Sequence, residues 1–134
     1  MTMNITKYFE IRRHYLEVKE QFEREASQRK LHPEELNILL YLGENSAYAP
    51  KDTNVIKKVK TDEERNLVKK GSIGNIVHTI GLTPSTTSTH TSSLWKKKLV
   101  KKGINPENER HRWVGLTPKG IELYNQIKKD LENN

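Results

Sequence analysis

The chain has no cysteine, which excludes disulfides, thiolate metal sites and cysteine-based oxidant sensing together. Apolar material is also scarce. Hydrophobic residues make up 33% of the 134 positions, and the mean hydropathy is −0.87. No stretch approaches the ~20 apolar residues of a membrane span, and residues 1–10 hold no apolar run ahead of a cleavage site. The address this predicts is the cytoplasm, without membrane contact. The length suits one domain with a thin core, which leaves some apolar helix surface for a second subunit. His14, His32, His78, His90 and His111 show no metal-ligand spacing. No glycine-rich phosphate loop is present, and no nucleophile stands beside a base at motif spacing. These absences predict a protein that is not an enzyme and carries no cofactor or metal.

What the chain does have is positive charge, unevenly placed. The formal net charge is +7 and the pI is near 9.6, a balance that suits a polyanionic partner. Residues 1–50 hold 7 basic and 8 acidic side chains, and residues 51–82 hold 7 against 4. Residues 83–120 hold 8 against 2, so most of the excess lies in one window.

Apolar spacing predicts a first helix over 5–28, with Ile5, Tyr8, Phe9, Tyr15, Leu16, Phe22 and Ala26 near the 3.6-residue period. A helix this long projects beyond a compact core unless another surface covers it. His32, Pro33, Glu34 and Glu35 start a second helix. Leu36, Leu39, Leu40 and Leu42 form its core face, and Gly43 ends it near Asn45. Residues 45–71 open as loop, with Pro50 and Asp52. They run through Val55-Ile56-Lys57-Lys58-Val59-Lys60, then reach a capping box at Thr61-Asp62-Glu63-Glu64 that starts a short helix through Lys70.

Beyond Gly71 the signals sharpen. Ser72 caps a helix with Ile73, Ile76, Val77 and Ile80 on one face, closed by Gly81 in the left-handed conformation. Thr83-Pro84-Ser85-Thr86 starts the next helix, giving helix, tight glycine turn, helix. Leu99 to Lys102, a turn at 105–109 and His111 to Leu116 make strand, turn, strand: a wing. Thr117-Pro118 caps a last helix with Ile121, Leu123, Tyr124, Ile127 and Leu131 as its apolar positions. The fold class predicted is mainly α with a small β-wing, a winged helix-turn-helix.

Gly81-Leu82-Thr83-Pro84-Ser85-Thr86, then Ser88, Leu94, Lys96-Lys97 and Leu99-Val100, followed by Asn105-Pro106-Glu107, Arg110, Leu116-Thr117 and Gly120, resemble the MarR (multiple-antibiotic-resistance regulator) family of bacterial transcription factors. The resemblance is strongest over 73–131, weaker over the first two helices, and does not cover 45–71. It implies a homodimer whose first and last helices interlock, with the 83–97 helix in the major groove and the wing in an adjacent minor groove. On that reading residues 1–134 form one DNA-binding domain. Residues 1–30 and 118–134 dimerise, 45–71 are an insertion, and 72–116 hold the helix-turn-helix and wing. Three departures stand out. Asn108 replaces the wing acid, the inward face of the recognition helix reads Thr87, His90, Thr91 and Leu94, and Lys98 stands where a glycine is usual. A left-handed lysine costs on the order of 1 kcal/mol, so a different helix end is expected.

Base reading asks for short polar side chains near the start of a groove-inserted helix, which selects Ser85, Thr86, Ser88 and Thr89. Hydroxyls discriminate bases poorly, so shape and backbone contacts are expected to matter more than bidentate guanine recognition. Thr83, Lys96, Lys97, Lys98, Lys101 and Lys102 are the phosphate-contact candidates, and Asn108, Arg110 and Arg112 those of the wing. Trp95 and Trp113 read as packing residues, and His90 as a hydrogen-bonded core histidine. The function predicted is a sequence-specific regulator of transcription, a repressor, on double-stranded DNA. The alternatives are an accessory DNA-binding protein of plasmid or phage replication, partition or transfer, and a protein-binding module that has lost DNA. The resemblance also allows a small-molecule effector, which no residue demands. The 45–71 segment orders the dimer, touches DNA through Lys57, Lys58 and Lys60, or is a tolerated excursion.

Overall fold

Each helix begins where the sequence supplies a cap. The computed structural model describes residues 4–51 and 56–133, so Asp52 and Val55 lie outside the described residues. Helix α1 (Ile5–Gln28) starts at Asn4, whose side chain accepts the Lys7 N–H. Helix α2 (Pro33–Glu44) starts at His32, whose own N–H donates to Glu35 while its ring Nδ1 accepts from the Glu34 N–H. Helix α3 (Asp62–Lys70) carries the reciprocal Thr61–Glu64 capping box. Helices α4 (Ile73–Ile80), α5 (Pro84–Lys96) and α6 (Pro118–Glu132) are capped by Ser72, Thr83 and Thr117. Proline opens α2, α5 and α6, where its missing N–H would have had no partner anyway.

The ends are less orthodox. Gly81 closes α4 at φ 82°, as its position predicts. Lys30, Ser46 and Lys98 adopt the same left-handed region at φ 58°, 51° and 63°. After α5, the Lys98 N–H donates to the Trp95 carbonyl and the Leu99 N–H to that of Leu94. The same two-bond pattern follows α1 at Lys30 and Leu31, and α2 at Ser46 and Ala47. It satisfies carbonyls that would otherwise be orphaned, which is why a lysine holds the left-handed position and α5 keeps an ordinary end.

Strands β1 (Val100–Asn105) and β2 (Asn108–Leu116) pair antiparallel, Val100 opposite Leu116 and Gly103 opposite Trp113. The base of this hairpin is broadened along the edge of β2 away from β1. The Ala49 N–H donates to Leu116, the Leu116 N–H to Ala47, and the Val114 N–H to Gly71. The core gathers Leu36, Ile38, Leu39 and Leu42 of α2 with Ile76, Leu94, Trp113, Val114, Leu116, Tyr124 and Ile127.

Three expectations change here. Ile38, not Leu40, completes the buried face of α2. Gly43 lies inside α2 and does not end it; a Cβ there would stand 2.2 Å from Cδ1 of Tyr124, so glycine admits the ring of α6. Within 45–71, Ala47, Ala49, Ile56, Val59 and Leu67 are buried, so the described part of the segment is woven into the core, and a bare excursion does not describe it. By contrast, residues 4–20 of α1 are exposed throughout, and only its last turns meet the rest of the chain.

Candidate nucleic-acid interface

Helix α5 rests on Thr87, Thr91 and Leu94, all buried. Two threonines can face inward because their hydroxyls are satisfied by the helix itself. Thr87 Oγ1 donates to the Thr83 carbonyl and Thr91 Oγ1 to that of Ser88, so no polar group is left orphaned. His90 is half-buried and stacks on His32 at 4.4 Å between ring centroids. The expected hydrogen-bonded core histidine is therefore a stacked pair joining α5 to the cap of α2.

The opposite side of α5 is open. Ser85, Ser88, Thr89 and Lys96 are exposed, whereas Thr86 is half-buried and its Oγ1 accepts from the Thr83 hydroxyl. Thr89 Oγ1 donates to the Ser85 carbonyl, which leaves the oxygen able to accept. Ser92, half-buried like Thr86, borders this strip; its spacing of four from Ser88 is the sequence signal for it. The first turn of α5 holds no acid, so the positive end of the helix dipole is uncompensated.

In the wing, residues 108–112 are exposed and residues 113–116 buried. Arg110 and Arg112 are both exposed, on the distal part of β2 where the register with β1 becomes irregular between Ile104 and Asn105. Asn108 does not orient the Arg110 guanidinium: its Oδ1 accepts from the Arg110 backbone N–H at 3.3 Å and shapes the turn.

The lysine run divides. Lys96, Lys98 and Lys102 are exposed. Lys102 Nζ sits 5.2 Å from the centre of the Trp95 ring and donates to Ser92 Oγ. Trp95 is 52% exposed, so it is a platform on the surface, whereas Trp113 is the packing residue expected. Lys97 turns inward instead. Its ammonium meets both oxygens of Glu35 at 2.9 and 3.0 Å and donates to the Lys30 carbonyl. Lys101 donates to the Pro50 carbonyl. These two lysines tie the lobe together, because they project from the sides of α5 and β1 that pack on the body. Burial pushes the Glu35 carboxyl up, but the His32 N–H, Lys97 and Ser93 outweigh it and hold it below the ordinary carboxylate value.

Two clefts bring the outward groups together. One, of about 670 Å³, lies between α4, the start of α5 and the wing, with Ser72, Pro84, Ser88, Arg110 and Arg112 in its walls. The other, of about 1060 Å³, runs along the wing side of α5 past Ser92, Trp95, Lys102, Arg112 and Lys57. Among the described residues no cluster of three His, Asp or Glu could hold a metal ion, and no helix is long and apolar enough to cross a membrane.

No family model matches the chain, and no curated protein matches it by sequence. Solved structures do match. AbsC, a MarR family transcriptional regulator from Streptomyces coelicolor, superposes with a TM-score of 0.67 at 14% identity, over 99% of this chain and 78% of that one. MepR, a transcription regulator of the Staphylococcus aureus multidrug efflux pump MepA, gives 0.66 at 18% identity over 98% and 78%. A Staphylococcus aureus MepR–DNA complex gives 0.63 at 18% identity over 98% and 79%. With identities this low the likeness is one of architecture: the chain has the MarR-type winged-helix fold.

Proposed function

We propose that this chain is a sequence-specific double-stranded-DNA-binding regulator of transcription, a non-enzymatic cytoplasmic repressor acting as a homodimer. Helix α5 enters the major groove and the wing an adjacent minor groove. The observation that carries this reading is the shared cleft in which the exposed Ser88 of α5 faces Arg110 and Arg112. The same fold occurs in a MepR–DNA complex.

Ser85, Ser88, Thr89 and Ser92 touch base edges, while Thr83, Lys96, Lys98 and Lys102 meet phosphates. Because hydroxyls accept or donate, specificity leans on groove shape and backbone contacts. Residues 72–116 form the reading head, and α1 with α6 joins two such heads at a spacing that suits a pseudo-palindromic site.

Selection of bound duplexes from a random pool tests this. Binding should fall steeply between ~50 and ~200 mM salt. Arg110→Ala should weaken binding to every duplex, whereas Thr89→Ala should change which duplexes are selected. No binding at low salt would overturn the reading in favour of a protein-binding module. A selected sequence found in arrays at a replication origin, and not over a promoter, would overturn the repressor role alone.

A further inference from the structure

One lysine outside the helix-turn-helix and wing, Lys57, lines the cleft on the wing side of α5, and its neighbour Lys58 stands exposed beside it. Ile56 and Val59 are 5% and 8% exposed and belong to the core cluster, so the pair between them, Lys57 and Lys58, is held out on an exposed bend. The far end of this stretch is fastened as well, since the Lys60 N–H donates to Glu64 of the α3 capping box. Lys57 then forms one wall of the cleft whose other walls are Ser92 and Trp95 of α5 and Lys102 and Arg112 of the wing. Among the described residues neither lysine is in an ion pair, and Glu109 is the one acid in that wall. A concave, cationic surface with a single carboxylate suits a polyanion more than a carboxylate partner of its own.

We propose that Lys57 and Lys58 form a third DNA-contacting element, reaching the sugar-phosphate backbone along the edge of the groove that α5 enters. The inference rests on the DNA-binding reading above and adds to it a contact from the segment that the winged-helix core does not need. A contact to phosphate fixes register without reading sequence, and anchoring by two buried side chains means little ordering is required on binding. The two lysines therefore add to affinity and to its salt dependence, and leave the preferred sequence alone.

The experiment is a salt titration of duplex binding by the full chain and by Lys57→Gln/Lys58→Gln. Two lost phosphate contacts in each of the two heads, four per complex, should lower the slope of log affinity against log salt by about 3.6, with the selected sequence unchanged and the melting temperature preserved. Lys57→Arg/Lys58→Arg should keep the parent slope. Lys7→Gln/Lys129→Gln, which removes the same charge from α1 and α6, should change it little. A parent-like slope in the glutamine variant, or an equal drop in the Lys7/Lys129 control, would overturn the inference while leaving DNA binding intact. Failure of the parent to bind any duplex would instead remove the reading on which it rests.

Discussion

Glu35 shows how one side chain can serve two elements. It accepts the His32 N–H at the start of α2 and pairs with Lys97 beyond the end of α5, 62 residues away. Because its folded-state pKa is depressed, its contribution to stability is complete above the ordinary carboxylate value of 4.5 and is lost as pH falls through the lower folded value. Urea unfolding at a series of pH values should therefore show stability declining below about pH 4.5. In Glu35→Gln that acid decline should shrink, and stability at neutral pH should be lower by about 1–3 kcal/mol, since a buried bond network is broken. Identical acid limbs in the two proteins would remove Glu35 from this role. The capping half of the role is local and legible in the sequence. The Lys97 half is not, because three consecutive lysines look alike until the face of α5 that meets α2 is known. Trp95 and Gly43 follow the same logic: what decides each is a neighbour in another element, Lys102 in the wing and Tyr124 in α6.

Among the elements, starts were easier to read than ends. Asn, His, Thr and Ser caps act within three residues of themselves, so the sequence window contains the cause. A left-handed residue after a helix is announced by glycine and hidden when the position holds lysine or serine, as at Lys30, Ser46 and Lys98. The base of the wing was illegible for a related reason. Ala47 and Ala49 bond to Leu116, and a two-residue bridge leaves no alternating pattern to detect. The helix ends make an opposed pair of predictions. Lys98→Gly removes left-handed strain and should stabilise the fold by about 1 kcal/mol, which raises the melting midpoint by roughly 4 °C. Gly81→Ala imposes that strain and should lower stability by a similar amount. Nothing lies within 4 Å of a Cβ built at Gly81, so crowding would not confound the comparison. A loss of stability in Lys98→Gly, measured calorimetrically without DNA, would mean that its backbone is not strained.

At the scale of the molecule, α1 is the element the rest of the chain does not account for. Its 24 residues span roughly 36 Å at 1.5 Å per residue, yet only Glu25 and Ala26 are buried. Ile5, Phe9 and Tyr15 are 74%, 60% and 58% exposed, and Tyr8, Ile11 and Leu16 accompany them. Helical order over so many residues without tertiary contact is marginal in water, and a run of large apolar side chains facing solvent marks an association site. On the homodimer proposed above, a second copy of the chain would supply both the cover and the order. Sedimentation equilibrium should then give twice the 15.6 kDa chain mass. Phe9→Glu/Leu16→Glu, placed seven residues apart on one face, should give a single chain and lose the far-UV helical signal of the first half of α1. Because a monomer offers one reading head to a two-headed site, the same variant should lose affinity for the selected duplex while keeping weak binding to a half-site. A parent protein of single-chain mass whose α1 is nonetheless fully helical would show that the helix needs no partner, and the paired arrangement of α5 helices would fall with it.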